Sequence, residues 1–333
     1  MPSSSTSEPP RGDETTRLAI EEVEEAEAIL EQRPPKAEGA QGEGVRGGRS
    51  GGWLTTGLAA PGFLYLGFYL LAPLVVIVLV SFWTRSDAAG GFDRVWTTAN
   101  YANLFHDSTY WNNMLTTFET SLIAVGACLV LGFPVAYFLA LKVQSLRMQI
   151  VLFIVALAPF WTSFLTRAIA WTFPLMGSEG ALNQVLIKLH LVSHPVQQFG
   201  FSLLSVRLAM IQLYILFMIT PLFFTLAQVD RSAIEAARDL GGNWWRMFLE
   251  VILPQTMPGV VIGSIFIFVL TMGDYGTVNT IGGGNITSVG TIVKSRVDVP
   301  DYPSGAAAAV LLVIVLMFGV WVITRFANLR EEL

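Results

Sequence analysis

Apolar runs of membrane-spanning length constrain this chain more than any other feature. A helix needs about 20 residues to cross a hydrocarbon core about 30 Å thick, because each residue adds about 1.5 Å. Charged residues make up only 14% of the 333 residues, and the mean hydropathy is +0.56, whereas soluble domains carry about 25% charge. We therefore predict an all-α integral membrane protein. Its six predicted transmembrane helices cover residues 58–83, 115–141, 148–174, 201–227, 259–275 and 306–325.

The first 52 residues are of a different kind. They are rich in Ser, Pro, Gly and Glu and poor in aromatic residues, a composition that favours disorder. We expect a disordered, acidic cytoplasmic tail and linker at 1–52. Residues 15–32 have apolar side chains on one helical face, and two interpretations stay open there: a fluctuating acidic helix, or a docking helix for a partner. No apolar core follows Met1, so the pattern does not predict a secretory signal.

A charged interval at 229–258 separates the apolar runs 201–227 and 259–272. Such a segment must lie outside the lipid. Ser232 and Glu235 have the spacing of a capping box, and Gly241-Gly242 predicts a left-handed end to the first of two short helices. These features alone also fit an ordinary, well-capped loop.

The spacing within the interval adds specificity. It resembles the EAA motif of permease subunits of binding-protein-dependent ABC importers, with Val251 where that family has Ile. In the family this loop forms the coupling helices that dock on a cytoplasmic ATPase. The resemblance assigns ATPase coupling to Glu235, Ala236, Ala237, Gly241, Val251, Leu253 and Pro254.

Three more segments narrow the resemblance. They are Leu-Gly-Phe-Pro-Val-Ala-Tyr at 131–137, Gly273-Asp274-Tyr275 with Ile-Gly-Gly at 281–283, and Pro-Ser-Gly-Ala-Ala at 303–307. Together they resemble the spermidine/putrescine-type permeases, first-subunit branch, whose relatives also move iron, thiamine, opines or phosphonates. The resemblance implies a type I ABC importer permease fold. It places a permease domain at 115–329, preceded by a first helix and an outside loop at 53–114.

The same resemblance implies partners rather than catalysis. It predicts a homologous second permease subunit, an ATP-binding cassette ATPase dimer and an extracytoplasmic substrate-binding protein. The chain has no ATP-binding loop, because the glycine-rich stretch 282–290 lacks the Gly-Lys-Ser/Thr that holds phosphates. We expect no enzyme activity, no metal and no cofactor on this chain, with ATP and Mg bound by the ATPase. The single cysteine, Cys128, is expected to be a small packing residue.

Short-loop Lys and Arg residues set the predicted orientation. Their bias places both termini and the 229–258 interval in the cytoplasm. The resemblance to binding-protein-dependent importers implies the inner membrane of a bacterial cell. The opposite loops are rich in aromatic residues. They fit either docking of a binding protein or anchoring at the membrane interface, and a short helix is expected at 181–190.

Ionisable groups at membrane depth are costly and informative. Glu119, Arg167 and Asp274 stand out. One interpretation is structural, for example an ion pair between Glu119 and Arg167. The other is a substrate path in which Glu119 and Asp274, with the aromatic residues Tyr275 and Trp171, attract a di- or tri-ammonium compound.

A secondary transporter that needs no ATPase is the rival class. Its signs would be inverted repeats and broken helices, and we find no convincing repeat in the sequence.

Overall fold

The computed structural model describes residues 52–86, 91–175, 177–239, 241 and 243–331. The predicted tail, its possible helix at 15–32 and Gly242 lie outside these residues. Contacts divide the chain into two units, and every site discussed below lies within the unit Leu70–Leu333.

The described residues begin with an apolar helix and a small hairpin. The side-chain amide of Asn100 donates to the backbone oxygens of Ser81 and Trp83, both at 2.9 Å, and so satisfies carbonyls at the helix end. The predicted first span at 58–83 is thus a helix whose last two residues belong to the turn and the hairpin. The elements are α1 (Gly52–Ser81), β1 (Trp83–Ser86), β2 (Gly91–Trp96) and α2 (Ala99–His106).

The next helix, α3, runs over Ser108–Tyr137 and continues as a π-helical turn at Phe138–Lys142. Asp107 caps it, accepting hydrogen bonds from the backbone N–H groups of Thr109 at 2.9 Å and Tyr110 at 3.3 Å. The helix therefore starts seven residues before the predicted span, because the cap and not the apolar run sets its first turn.

The third predicted span, 148–174, is broken. Helix α4 (Leu146–Leu157) ends in a 3₁₀ turn (Ala158–Trp161), and α5 (Phe164–Thr172) departs at 80°. Pro159 lies in that turn and cannot donate a helical hydrogen bond. The predicted span at 148–174 is therefore a bent pair of helices, which counts as one span only if both helices belong to it.

The remaining elements alternate long helices with short ones. The expected helix at 181–190 is present as α6 and ends two residues earlier. In chain order the elements are α6 (Ala181–Lys188), α7 (Leu203–Ala227), α8 (Arg231–Asp239), α9 (Trp244–Met247), a π-helical turn (Phe248–Ile252), α10 (Leu253–Gly273), α11 (Gly276–Gly282), α12 (Val289–Asp298) and α13 (Tyr302–Glu331).

Within the described residues, four helices are long and apolar enough to cross a membrane, and five if the bent pair counts as one span. These four membrane-length helices correspond to α3, α7, α10 and α13, respectively. The apolar part of α1 that passes the composition test, Tyr65–Ser81, is shorter. The prediction of a multi-span helical protein is confirmed, while the count of six stays a prediction.

Helix α7 is the centre of the bundle. It packs against both α3 and α10, which also contact each other, and its buried residues form much of the larger apolar cluster. On α10, Gly259 and Gly263 form a small-residue pair four positions apart that faces α7. A Cβ at Gly259 would lie 2.8 Å from the carbonyl oxygen of Pro221, so only glycine permits this approach. Cys128 is fully buried, as expected.

Candidate functional site

The charged interval folds into two short helices joined at Gly241. Its φ of +77° confirms the predicted left-handed turn. The predicted capping box is wrong, because Ser232 bonds elsewhere. Its backbone N–H and its hydroxyl both donate to Asp230, each at 2.8 Å, so Asp230 caps α8 instead. These bonds hold the pKa of the exposed Asp230 carboxyl below its ordinary value.

Helix α8 presents one face to the bundle and the other to solvent. Ile234 and Ala237 pack against the apolar cluster, whereas Glu235 and Ala236 are exposed. A cavity of about 160 Å³ lies beside this helix, lined by Tyr137, Leu141, Lys142, Ile234, Glu235 and Arg238. The exposed face of α8 therefore presents the small side chain of Ala236 and the carboxylate of Glu235 next to a partly polar cavity.

The second half of the interval is aromatic and rigidly joined to α10. Trp244 stacks on Phe248 with ring centroids 5.5 Å apart, and Phe248 in turn meets Phe133 of α3 edge-on at 5.2 Å. Both tryptophans are exposed, by 47% for Trp244 and 63% for Trp245. Contact with Phe133 joins this exposed aromatic surface to the transmembrane bundle.

The π-helical turn at Phe248–Ile252 contains Val251, and α10 begins with Leu253 and Pro254. Pro254 has no N–H and cannot donate the helical bond to the carbonyl of Glu250, which favours an irregular turn at this place. Glu250 accepts two hydrogen bonds from Arg246 Nε, at 2.9 and 3.1 Å. The seven motif residues therefore extend over α8, the Gly241 turn and the start of α10.

The second candidate site is a group of polar side chains within the bundle. Asp274 is buried at the end of α10. Its Oδ2 accepts a hydrogen bond from Tyr214 Oη at 2.9 Å, and its Oδ1 accepts one from the backbone N–H of Thr277 at 2.9 Å. Asp274 thereby links α7, α10 and the first turn of α11.

Trp171 and Tyr275 occupy different environments. Trp171 Nε1 donates to Gln212 Oε1 of α7 at 2.7 Å. Tyr275 is 49% exposed and lines a cavity of about 330 Å³ together with Asn279, Thr287, Thr291, Lys294 and Asp298. The structure thus brings Trp171 and Asp274 to the same stretch of α7, through Gln212 and Tyr214, and leaves Tyr275 at a cavity mouth.

Glu119 pairs with a residue that the sequence analysis passed over. Arg207 Nη2 of α7 donates to Glu119 Oε1 at 2.8 Å, and Arg207 Nε donates to Thr120 Oγ1 at 3.2 Å. The suggested pair of Glu119 with Arg167 is wrong. Arg167 instead places its guanidinium over the Phe160 ring, 4.8 Å from the centroid.

Three functional candidates were therefore missed: Arg207, Gln212 and Tyr214. All three lie in the predominantly apolar run 201–227. Arg207 could have been identified from the sequence, because a charged residue inside such an apolar run is unusual.

Comparison with known proteins places the chain in a family. The spermidine/putrescine transport system permease protein PotB of Escherichia coli is 32% identical over 273 residues, covering 81% of this chain and 97% of that protein. PotB of Haemophilus influenzae is 32% identical over 278 residues, covering 81% and 94%. The putative 2-aminoethylphosphonate transport system permease protein PhnU of Salmonella choleraesuis is 28% identical, covering 79% and 92%.

Solved structures agree on the fold. A chain of a bacterial alginate ABC transporter, in complex with a periplasmic protein bound to an alginate pentasaccharide, superimposes with a TM-score of 0.60. It is 17% identical and covers 83% of this chain and 93% of that one. No protein-family model matches the sequence. The identities of 32% over most of both lengths and the shared fold lead to one conclusion: the chain belongs to the family of ABC-transport permeases that includes the spermidine/putrescine permease PotB.

Proposed function

We propose that this chain is one of two homologous membrane subunits of an ATP-driven importer for polyamines. An external binding protein delivers the substrate, and an ATPase dimer in the cytoplasm binds ATP and Mg. The chain itself holds no cofactor and carries out no chemistry. ATP-driven closure of the ATPases moves the loop at 229–258, and the bundle opens to one side of the membrane and then the other.

The geometry of α8 is the observation that carries the coupling proposal. Glu235 and Ala236 are exposed while Ile234 and Ala237 are packed inward. The small side chain of Ala236 permits close approach of a partner surface. The inward contacts and the ring contact of Phe248 with Phe133 transmit a push on α8 and α9 to α3 and α10.

The substrate proposal rests on the polar groups around α7. The two PotB relatives described above, from Escherichia coli and Haemophilus influenzae, carry spermidine/putrescine transport in their names. A di- or tri-ammonium compound suits a route that passes Tyr275 and the Asp274 carboxylate, by cation–π and charge attraction. Glu119 is 62% exposed at its side chain and offers a second carboxylate, with Arg207 as its resting partner. Iron, thiamine, opines and phosphonates are the alternative substrates within the same class.

The test of coupling is Gly241→Asp in the complex purified with its partners. We expect substrate-loaded binding protein to stimulate ATP hydrolysis in the wild type, and the variant to lose this stimulation while the chain stays in the membrane. Gly177→Asp is the matched control, because Gly177 also has a positive φ, of +56°, and an added Cβ there makes only an ordinary contact, 3.5 Å from the carbonyl oxygen of Phe199. Normal coupling in Gly241→Asp, or equal loss in both variants, would overturn the loop assignment.

The test of the path is uptake at sub-saturating polyamine. Asp274→Asn keeps an acceptor oxygen for Tyr214 and removes the negative charge, so we expect folding to persist and uptake to fall about tenfold, the effect of about 1.4 kcal/mol. Tyr214→Phe keeps the charge and should retain most uptake per folded molecule. Unchanged uptake in Asp274→Asn and Glu119→Gln would remove both carboxylates from the path.

One feature favours a second candidate, a secondary transporter: the bent pair α4 and α5 is a broken helix of the kind found there. Purification settles the choice. Co-elution of an ATPase and a second permease supports the importer, whereas uptake by the reconstituted chain alone, without ATP, supports the rival.

A further inference from the structure

An apolar groove opens beside the hairpin. Its volume is about 280 Å³ and its lining is entirely apolar. It lies between the last turns of α1, strand β2, and the neighbouring parts of α12 and α13. Lining residues from these four elements include Val76, Val80, Phe92, Val297, Tyr302 and Ala309. In a membrane-spanning chain, a groove of this composition accepts hydrocarbon and excludes water.

Two arginines stand at the rim of this groove. Arg296 Nη1 lies 3.3 Å from Asp301 Oδ2, and Arg85 Nη1 lies 4.0 Å from the same oxygen. Asp301 immediately precedes the groove residue Tyr302. Its side chain is only 7% exposed, whereas those of Arg85 and Arg296 are 53% and 41% exposed. Two guanidinium groups thus share one carboxylate, and the cluster carries one unbalanced positive charge.

Each of the two arginines lies next to residues that line the groove. Arg85 is directly opposite Phe92 in the antiparallel ladder, so the two side chains lie on the same face of the hairpin. Arg296 precedes the groove residue Val297, and its Cβ lies 3.2 Å from where a Cβ of Gly305 would be. The hairpin also carries Trp83, which stacks on Phe92 at 4.9 Å. Aromatic residues of this kind mark the level of lipid headgroups.

We propose that this groove binds an anionic phospholipid of the leaflet on the hairpin side. One acyl chain lies in the groove between α1 and α13, and the phosphate meets the exposed guanidinium groups of Arg85 and Arg296. Arginine suits this role because its planar guanidinium donates two parallel hydrogen bonds to a phosphate. The unbalanced charge of the cluster selects an anionic headgroup over a zwitterionic one.

The probe is a photo-crosslinkable phospholipid in nanodiscs of phosphatidylcholine that hold the full-length chain with whatever subunits co-purify. Matched samples contain the same minor fraction of crosslinkable phosphatidylglycerol or crosslinkable phosphatidylcholine. Peptide mass spectrometry locates the adducts. We expect adducts on the groove segments of α1, α12 and α13, about fivefold more with phosphatidylglycerol, the preference given by one unbalanced cationic side chain at a membrane surface.

Two pairs of variants make the proposal sharp. Arg85→Gln leaves a neutral Arg296–Asp301 pair and should abolish the fivefold preference. Arg94→Gln is its control, because Arg94 lies on the same hairpin over the Trp83 ring and should keep the preference. Ala309→Phe fills the groove and should lower labelling by both lipids, whereas Ile314→Phe, on the exposed face of the same helix, should not.

Three outcomes would overturn the proposal. They are equal labelling of the groove by both lipids in the wild type, equal loss of preference in Arg85→Gln and Arg94→Gln, and no adduct of either lipid on the groove segments. The last outcome would mean that no lipid lies in the groove. None of these outcomes bears on the importer proposal, because uptake and ATP coupling are measured separately.

Discussion

At the scale of single residues, three polar contacts between helices involve α7. Arg207 pairs with Glu119, Gln212 accepts from Trp171, and Tyr214 donates to Asp274. A buried polar group without a partner costs about 1–3 kcal/mol, so these contacts restrict how neighbouring helices can rotate against α7. The proposed path residues are therefore also structural residues, and tests must separate the two roles.

Tyr214→Phe measures the structural part. The change removes a hydrogen bond to a buried carboxylate and leaves one donor fewer for Asp274, so we expect a loss of about 1–3 kcal/mol in unfolding free energy. Thermal unfolding in detergent reports the change as a lower midpoint. Tyr275→Phe is the control and should be near neutral, because Tyr275 is half exposed. Equal midpoints for the two variants would contradict the role given to the Tyr214 hydroxyl.

Asp230 offers a residue-scale prediction about pH. Its pKa in the folded protein is below the ordinary value because the Ser232 hydroxyl and backbone N–H donate to it. A lowered folded pKa means that the cap stabilises α8 above the unfolded pKa, and that this contribution is lost as pH falls through the folded pKa. Ser232→Ala should raise the pKa of Asp230, read from the carboxyl ¹³C shift of aspartate-labelled protein. Ser232→Thr should not, and an unchanged titration in Ser232→Ala would refute the hydrogen-bond explanation.

At the scale of elements, α10 approaches α7 closely because Gly259 has no side chain. Gly259→Ala places a Cβ 2.8 Å from the carbonyl oxygen of Pro221, and a backbone atom cannot move aside as a side-chain end does. We expect a loss of about 1–3 kcal/mol from overpacking between α10 and α7, measured as a reduced thermal midpoint. Gly126→Ala is the matched control, since a Cβ there meets no atom within 4 Å. It should be neutral or slightly stabilising through helix propensity. Equal midpoints for the two would show that α7 and α10 are not packed this closely.

At the scale of the whole molecule, orientation is the open prediction. Replacing the single cysteine as Cys128→Ala permits new ones to be placed at exposed positions. Asp239→Cys, in the charged interval, should react with a membrane-impermeant maleimide only in inside-out vesicles. Asn285→Cys, between α11 and α12, should react only in spheroplasts. The reverse pattern would place the coupling loop outside the cytoplasm and end the ATPase proposal.

The sequence by itself determined the features that depend on residues close together along the chain. Apolar runs and the charged interval located the spans and the loop, because transfer to lipid depends on composition along a short window. The left-handed turn at Gly241 followed from glycine's freedom at positive φ. The motif spacing and the family resemblance pointed to a permease, which the comparisons confirmed.

The tertiary structure decided which residues meet. Glu119 and Arg207 are 88 positions apart, and no periodicity in an apolar run shows which neighbour its few polar side chains will face. The same holds for Asp230 displacing the expected capping box, since the carboxylates of Asp230 and Glu235 are both possible acceptors for the Ser232 backbone N–H, and Asp230 accepts it. The 80° bend after Pro159 also needed the fold, because the apolar sequence there suits a straight span as well as a broken one. Composition determines which segments enter the membrane, whereas close packing of the helices determines which polar side chains contact each other.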